Sequence, residues 1–191
     1  MVGSSSEEAL DAFISRVRRT VQCVARAEVF GTGDLLDRSL RSLTLVPHGG
    51  GASRVTPLRR DDGRADLFLR IQEQFRVIRQ SEDGGREPFR VEAVYYSYWI
   101  LDRDEREILV YQWHPEGVSD VTLPHLHIPR VAPLPLPRTD PPRSVALGDM
   151  HLTTNRVFLE DVVALLIREF AVRPLRADWH DVLDENRAAH P

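Results

Sequence analysis

Two histidines, His125 and His127, stand two residues apart between Pro124 and Pro129. In an extended segment, side chains two residues apart point to the same face, so we expect the two imidazoles to lie side by side. Histidine titrates closer to neutral pH than any other side chain, and it is the commonest metal ligand in proteins. The spacing therefore predicts either a metal site or a pair of acid and base catalysts.

One further histidine lies on each side of this pair, and each offers a third group for a site. The metal-binding interpretation takes three ligands for one divalent transition metal ion (Zn, Fe, Ni or Mn), namely His114, His125 and His127. A site that acts without a cofactor is a second interpretation that the sequence leaves open. It also leaves open a third interpretation, in which a short edge strand carries the histidines in solvent and the chain is a non-catalytic interaction protein. Whether the protein is an enzyme stays open with these alternatives.

Composition narrows the class of protein. The chain has 191 residues, 42% of them hydrophobic, and we expect one domain over 1–191 with a substantial core. The net charge of −4 excludes a polycation, although all 25 basic residues are arginine. No apolar run reaches the roughly 18 residues that span a bilayer, so we expect no membrane association. Cys23 is the single cysteine, and together with a polar N-terminal segment it indicates a cytoplasmic protein.

Hydrophobic periodicity predicts an α+β fold, an antiparallel sheet with an N-terminal helix and C-terminal helices packed on it. The expected order is an N-terminal helix over 1–30, a sheet over 40–128, a proline-rich loop over 129–148 and helices over 155–188. The first helix is expected to run to about Val29. A solvated face is expected to carry its arginines Arg16, Arg18, Arg19 and Arg26.

Two segments in the middle of the chain carry most of the predicted sheet. The segment 64–80 fits both a strand and a helix, and the turn residues that follow it favour a strand. The run from Phe89 to Leu101 is apolar on both faces and is expected to be a central strand. Ile108 to Trp113 then returns antiparallel after a turn.

Two features are predicted after the histidine pair. Six prolines between Pro129 and Pro142 remove backbone donors and predict an extended, solvated loop. The helix from Val157 to Ala171 is expected to begin from a side-chain cap at Thr154 or Asn155.

The order of motifs in the second half of the chain is distinctive. Tyr96–Trp99 is followed by a hairpin, by Leu109–Pro115, by Leu123–His127 and then by a helix. This order, over approximately Val94 to Phe170, resembles that of TumE-like toxins, short prokaryotic proteins of toxin–antitoxin modules with a proline-histidine-x-histidine segment before a closing helix. His125 and His127 match that segment. Trp113-His114 stands where the family tends to have an Asp-Asn pair.

The resemblance implies a toxin that acts on RNA and has a cognate antitoxin protein as its partner. In the metal-independent cleavage that would follow, one neutral histidine takes the ribose 2′-hydroxyl proton and a second, protonated histidine supplies the leaving oxygen. The catalytic residues of this interpretation are His125, His127 and His151. Its substrate-binding residues, which hold the phosphate oxygens and neutralise their charge, are Arg130, Thr153 and Arg156.

Aromatic residues near the histidines have two interpretations. Tyr96, Tyr98 and Trp113 offer ring faces on which unpaired bases stack. Packing in the core is the simpler role for the same side chains in a central strand. The remaining histidines, His48, His180 and His190, have no evident partner in the sequence.

Overall fold

The computed structural model describes residues 2–33, 40–47, 55–79, 89–115, 120–129, 134–136, 143–145 and 151–190. Within these ranges the chain forms a large antiparallel sheet with an N-terminal helix and two C-terminal helices on one face. The α+β class predicted from the sequence is therefore confirmed.

Eleven strands occur in the described ranges. In chain order they are β1 (Val2–Gly3), β2 (Ala27–Gly33), β3 (Leu40–Pro47), β4 (Thr56–Leu58), β5 (Leu67–Arg79), β6 (Phe89–Asp102), β7 (Glu107–Trp113), β8 (His125–His127), β9 (Leu134–Leu136), β10 (Arg143–Val145) and β11 (Leu152–Thr153). Nine of them form one sheet with the order β11-β8-β7-β6-β5-β3-β2, in which β1 also pairs with β6 and β4 with β5. The long strands β5 and β6 lie at its centre. The central position of β6 was predicted, and for β5 the sequence predicted a strand.

Three helices complete the described structure: α1 (Ser6–Val21), α2 (Leu159–Arg168) and α3 (Trp179–Ala188). The Ser5 hydroxyl caps α1 by accepting a hydrogen bond from the Glu8 backbone N–H at 3.1 Å. Among the residues described here, no helix has both the length and the apolar character needed to cross a lipid bilayer.

The two faces of the sheet have different surroundings, because directly opposed residues of neighbouring strands point to the same side. One row across the sheet packs towards the three helices and includes Ile71, Tyr98, Tyr111 and Leu126. The adjacent row points to the opposite side and includes Gln72, Ser97, Gln112 and His125. We call these sides the helix face and the histidine face. The apolar core lies between the helix face and the helices.

The N-terminal helix is shorter than predicted. It ends at Val21 instead of about Val29, and Ala27–Gly33 is the strand β2, which pairs with β3 over its whole length. Ala27 and Val29 are both buried, and they alternate along β2 as residues of one sheet face do. The apolar spacing of α1 continues into these residues, but their pairing with β3 makes them a strand.

The start of α2 also differs from the prediction. The N-cap position is Phe158, not Thr154 or Asn155. A phenyl ring cannot accept a hydrogen bond, and the Asp161 carboxylate instead accepts one from the Phe158 backbone N–H at 2.8 Å. A free backbone N–H at the start of the helix is therefore satisfied by an acidic side chain of the first turn, and not by a residue before the helix as predicted.

The proline-rich segment contains more structure than predicted. Its described parts, β9 and β10, pair as a two-stranded antiparallel ribbon in which Pro135 lies opposite Ser144. A two-stranded ribbon tolerates proline because each strand needs to donate towards only one side. Apart from Pro129, the remainder of this predicted loop lies outside the described residues.

Candidate metal centre

Strand pairing positions the predicted histidine pair. Strand β8 is three residues long, as Pro124 and Pro129 require, and it lies between β7 and β11. It is therefore not the edge strand that the sequence suggested, because the two-residue strand β11 covers it. In this register Gln112 is opposite His125 and Val110 is opposite His127, so both imidazoles are on the histidine face.

The same pairing brings in a third histidine. Thr153 of β11 lies opposite His125, and the Thr154 backbone N–H extends the ladder by donating to the Pro124 carbonyl at 2.8 Å. His151 is two residues before Thr153 along the chain and approaches the other two imidazoles. Its ring centroid lies 4.5 Å from that of His127 and 5.0 Å from that of His125.

The three histidines form a compact cluster of possible ligand atoms. The ring centroids of His125 and His127 are 4.9 Å apart, and one ring nitrogen from each of the three residues lies within 4.8 Å of the others. The rings meet edge to face, with interplanar angles of 61–78°. His125 is buried, His127 is half-buried and His151 is exposed, so the cluster extends from the interior to the surface.

The protonation of His125 follows from its surroundings. Its Nδ1 lies 2.8 Å from the Leu123 carbonyl oxygen, which can only accept, so Nδ1 carries the proton in this contact. Burial lowers the pKa of His125, the hydrogen bond to Leu123 acts in the opposite direction, and His114 and His151 lower it further. A neutral ring protonated on Nδ1 has a lone pair on Nε2.

That lone pair is the chemically most informative atom of the cluster. His125 is 1% exposed, and its Nε2 is buried without a hydrogen-bond partner among the residues that the structure describes. Buried polar atoms in proteins are nearly always satisfied, so an orphan acceptor calls for a missing partner. Metal-binding histidines commonly donate one ring N–H to a backbone carbonyl and bind the ion with the other nitrogen. His125 has this arrangement.

His114, the third ligand of the metal-binding interpretation, lies next to the cluster. Its ring centroid is 5.2 Å from that of His125 and 6.5 Å from that of Tyr95. It is 8% exposed. The group whose ligand atoms converge contains His151 in its place, together with His125 and His127.

The described residues of the predicted substrate-binding set, Thr153 and Arg156, do not lie in one site. Thr153 is exposed and opposite His125, whereas Arg130 lies outside the described residues. The Arg156 guanidinium lies over the rings of Trp113 and Phe158, at 5.3 Å and 5.1 Å from their centroids. Trp113 packs against the core of the helix face, so Arg156 is on the other side of the sheet from His125.

The predicted aromatic platform is part of the core. Tyr96 and Tyr98 are 1% and 2% exposed, and their rings stack on each other with centroids 5.0 Å apart. The Tyr96 hydroxyl accepts a hydrogen bond from the Val157 backbone N–H at 3.0 Å, which ties β6 to the segment before α2. Neither tyrosine presents a ring to a base, and packing is their role.

Sequence reasoning missed a group of polar residues on the helix face. Arg16, expected in solvent, is 9% exposed, and Glu73 and Glu160 are 8% and 4% exposed. His190, for which the sequence offered no partner, lies with a ring nitrogen 3.1 Å from a Glu160 carboxylate oxygen. One signal was available, because Glu73 falls between Ile71 and Phe75 in the alternation of apolar residues along β5.

The comparisons with known proteins add no relative. No protein-family model matches the chain, and neither curated proteins nor solved structures give a match. The resemblance to TumE-like toxins stays a prediction, and the chemistry of the site has to be argued from its residues alone.

Proposed function

We propose that this protein binds one divalent transition metal ion through His125, His127 and His151. The observation that carries the proposal is the buried Nε2 of His125. It has no hydrogen-bond partner in the described ranges and belongs to a group of ring nitrogens within 4.8 Å of one another. The hydrogen bond from Nδ1 to the Leu123 carbonyl supports it, since that bond holds the ring and leaves Nε2 available for an ion.

The spacing of the ligand atoms is compatible with an ion of the size of Zn²⁺. Imidazole nitrogens bind Zn²⁺ at about 2.0–2.1 Å, which separates them by about 3.3 Å in a tetrahedral site. Rotations about side-chain bonds can bring nitrogens from within 4.8 Å to that separation. The exposed His151, directly before the two-residue strand β11, is the ligand with the most freedom to adjust.

The donor set indicates the class of metal and of reaction. Imidazole ligands suit Zn²⁺, Fe²⁺, Ni²⁺ and Cu²⁺, whereas Mn²⁺, Mg²⁺ and Ca²⁺ favour oxygen ligands. Three neutral histidines leave a fourth position of a tetrahedral ion for water or substrate. An ion in such a site lowers the pKa of its bound water to about 7 and produces a nucleophile. The proposed activity is therefore metal-assisted hydrolysis.

Metal content tests the proposal directly. The purified protein is stripped with a chelator, reloaded with Zn²⁺, desalted and subjected to elemental analysis. We expect near one Zn²⁺ per chain, and a loss of this metal in the double variant His125→Ala, His127→Ala. The matched control is His180→Ala, which removes an exposed histidine that stacks on Trp179 far along the chain. The control should retain the metal.

Two results would contradict the proposal. One is a desalted wild-type protein without stoichiometric metal, and the other is a double variant that retains as much metal as the His180→Ala control. Circular dichroism of each variant establishes that the chains compared are folded.

The RNA-cleaving, toxin-like activity that the sequence resemblance implies is the rival proposal, with RNA as substrate and an antitoxin as partner. It uses the same residues, His125, His127 and His151, for proton transfer without a metal. Cleavage of RNA by chelator-treated protein, lost in the double variant, would favour the rival. Hydrolytic activity that returns only with Zn²⁺ would favour the metal centre.

A further inference from the structure

A second polar site lies on the helix face, on the opposite side of the sheet from the histidine cluster. It is a cavity of ≈ 120 Å³, and its charged and titratable lining residues are Arg16, Glu73, Arg90, Glu92, Arg156 and His190. This volume accommodates a carboxylate or phosphate group with a few water molecules, but not a nucleotide.

Arg16 is the residue of this cavity that most needs a partner. It is 9% exposed, its Nε is buried without an acceptor, and its guanidinium makes no ion pair among the described residues. Its nearest aromatic contact is the ring of Phe13, at 5.4 Å from the centroid. Charged groups are rarely buried without a counter-charge, because the loss of hydration is then uncompensated. The carboxyl groups of Glu160 and Glu73 act on Arg16 electrostatically, but neither forms an ion pair with it in the described part of the chain. The buried Nε of Arg16 is therefore available to an anion.

Most other charges around the cavity already have partners. Arg90 pairs with Glu92 at 3.5 Å. Glu160, which lies close by, accepts a hydrogen bond from the Thr20 hydroxyl at 3.1 Å and contacts a ring nitrogen of His190 at 3.1 Å. Arg156 contacts aromatic rings and makes no ion pair in the described part of the chain.

The remaining acid in the cavity is Glu73. Burial raises the pKa of Glu73 to about 7, against the opposing effect of Arg16. The Tyr98 hydroxyl lies 3.4 Å from one of its carboxylate oxygens. A carboxyl group with this pKa is largely protonated below pH 7, so it neither neutralises Arg16 fully nor repels an incoming anion, to which it can donate a hydrogen bond. Below pH 7 the lining residues therefore carry more positive than negative charge.

We propose that this cavity binds the carboxylate or phosphate group of a small anionic ligand, with Arg16 and Arg156 as its cationic partners. Arginine suits this role, since its planar guanidinium offers several donors to two oxygens of such a group. The proposal does not depend on the metal centre, because the two sites share no residue and lie on opposite faces of the sheet.

Inorganic phosphate and acetate are the probes that distinguish the two kinds of anion. The full chain is titrated with each at constant ionic strength by isothermal titration calorimetry, with chloride as the background anion. We expect saturable binding of one anion per chain. Saturation by phosphate supports a phosphorylated ligand, and saturation by acetate supports a carboxylate. Heats no greater than those of added chloride for both probes would overturn the proposal.

Two variants and a control assign the binding to the cavity. Arg16→Gln and Arg156→Gln should each weaken the binding of the anion by about tenfold or more. The control is Arg19→Gln. Arg19 lies on the same helix as Arg16, but its side chain is 46% exposed and pairs with Glu185. It should bind as the wild type does. Equal binding by the wild type and Arg16→Gln would overturn the proposal.

Thermal unfolding without added anion separates a ligand site from a structural role. Burial lowers the pKa of Arg16 by more than Glu160 and Glu73 raise it, so the guanidinium is only partly compensated. If Arg16 is present for a ligand, Arg16→Gln removes this partly compensated charge, and the free protein should unfold at the same temperature as the wild type or higher. A variant that unfolds at a clearly lower temperature would assign Arg16 to structure and contradict the proposal. Arg156, which is exposed, gives an independent test if Arg16→Gln does not fold.

Discussion

The two faces of the sheet hold ionisable side chains in different ways. On the histidine face, His125 and His127 belong to one strand of three residues, and His151 arrives through a neighbouring strand of two. On the helix face, Arg16 comes from α1, Glu160 from α2 and Glu73 from the central strand β5. The first group is a product of strand register, and the second is a product of helix packing.

Because of this difference, we expect the helix face to determine stability and the histidine face to determine metal binding. The helix face contains the apolar core, in which Phe75 and Leu166 are fully buried. The histidine cluster lies at the end of the sheet, on two short strands with few buried apolar residues. We therefore expect substitutions on the helix face to change the free energy of unfolding, and substitutions in the cluster to change metal binding with little effect on folding.

The largest expected effect is on the helix face. Phe75→Ala should lower the free energy of unfolding by about 3–5 kcal/mol, because it removes a fully buried ring that packs on Phe13 with centroids 4.7 Å apart. Urea denaturation followed by circular dichroism measures this loss. Zinc affinity per folded molecule should not change. A loss of zinc binding in chains that are still folded would show that the two faces are coupled.

Glu73 should make stability depend on pH. Its pKa is raised to about 7 in the folded protein, from an ordinary value of 4.5, so the folded state binds more protons between these values. As pH rises from 4.5 to 7, this carboxyl group alone should therefore lower the free energy of unfolding by about 3 kcal/mol. The charged and titratable groups that face Glu73 are Arg16, Tyr98, Arg156 and Glu160.

Glu73→Gln isolates this contribution. The variant has no titrating group at this position, so its free energy of unfolding should lose the decline between pH 4.5 and 7 that the wild type shows. Chemical denaturation at intervals across this range gives both curves. The control is Glu92→Gln, at an exposed position of β6, which should retain the decline. Parallel curves for wild type and Glu73→Gln would contradict the account of this carboxyl group.

In the histidine cluster we expect the opposite pattern. His127→Ala should weaken Zn²⁺ binding by about 100-fold, equivalent to about 2.7 kcal/mol, since it removes one of three ligands. The half-buried ring contributes little to the core, so the unfolding of the metal-free protein should change by less than about 1 kcal/mol. Competition with a chelator of known affinity measures the first effect, and urea denaturation the second. Unchanged zinc affinity would exclude His127 as a ligand.

The smallest effect is expected at Thr153. It lies opposite His125 but is exposed, and a valine at this position suits a β-strand. Thr153→Val should change the free energy of unfolding by no more than about 0.5 kcal/mol and the zinc affinity by no more than about twofold. A larger loss of zinc affinity in the same competition assay would place the Thr153 hydroxyl in the metal site.

Strand periodicity accounts for what the sequence could predict. The alternation in β5, β6 and β7 is visible in the residues themselves, and so is the placement of His125 and His127 on one face. The sequence named His151 as a catalytic candidate, but it could not establish that His151 approaches the pair. That approach depends on the register between β8 and β11, which involves two residue pairs after a long intervening segment.

Helix packing accounts for what the sequence could not predict. Arg16 belongs to a run of arginines typical of a solvated helix face, and only the crossing of α1 over the sheet buries it beside Glu73 and Glu160. The end of α1 could not be predicted either, because the residues after it fit both the spacing of a helix and the alternation of a strand. Pairing with β3 decides between them.

The most direct test of the metal centre observes the histidine rings themselves. Chelator-treated protein is titrated with Zn²⁺, and the ring nitrogens of all histidines are followed by ¹⁵N NMR. The account predicts that one equivalent of Zn²⁺ shifts the Nε2 signal of His125 and one ring-nitrogen signal each of His127 and His151, while those of His180 and His190 stay unchanged. A titration that leaves the His125 signal in place, or shifts only the exposed His180, would contradict it.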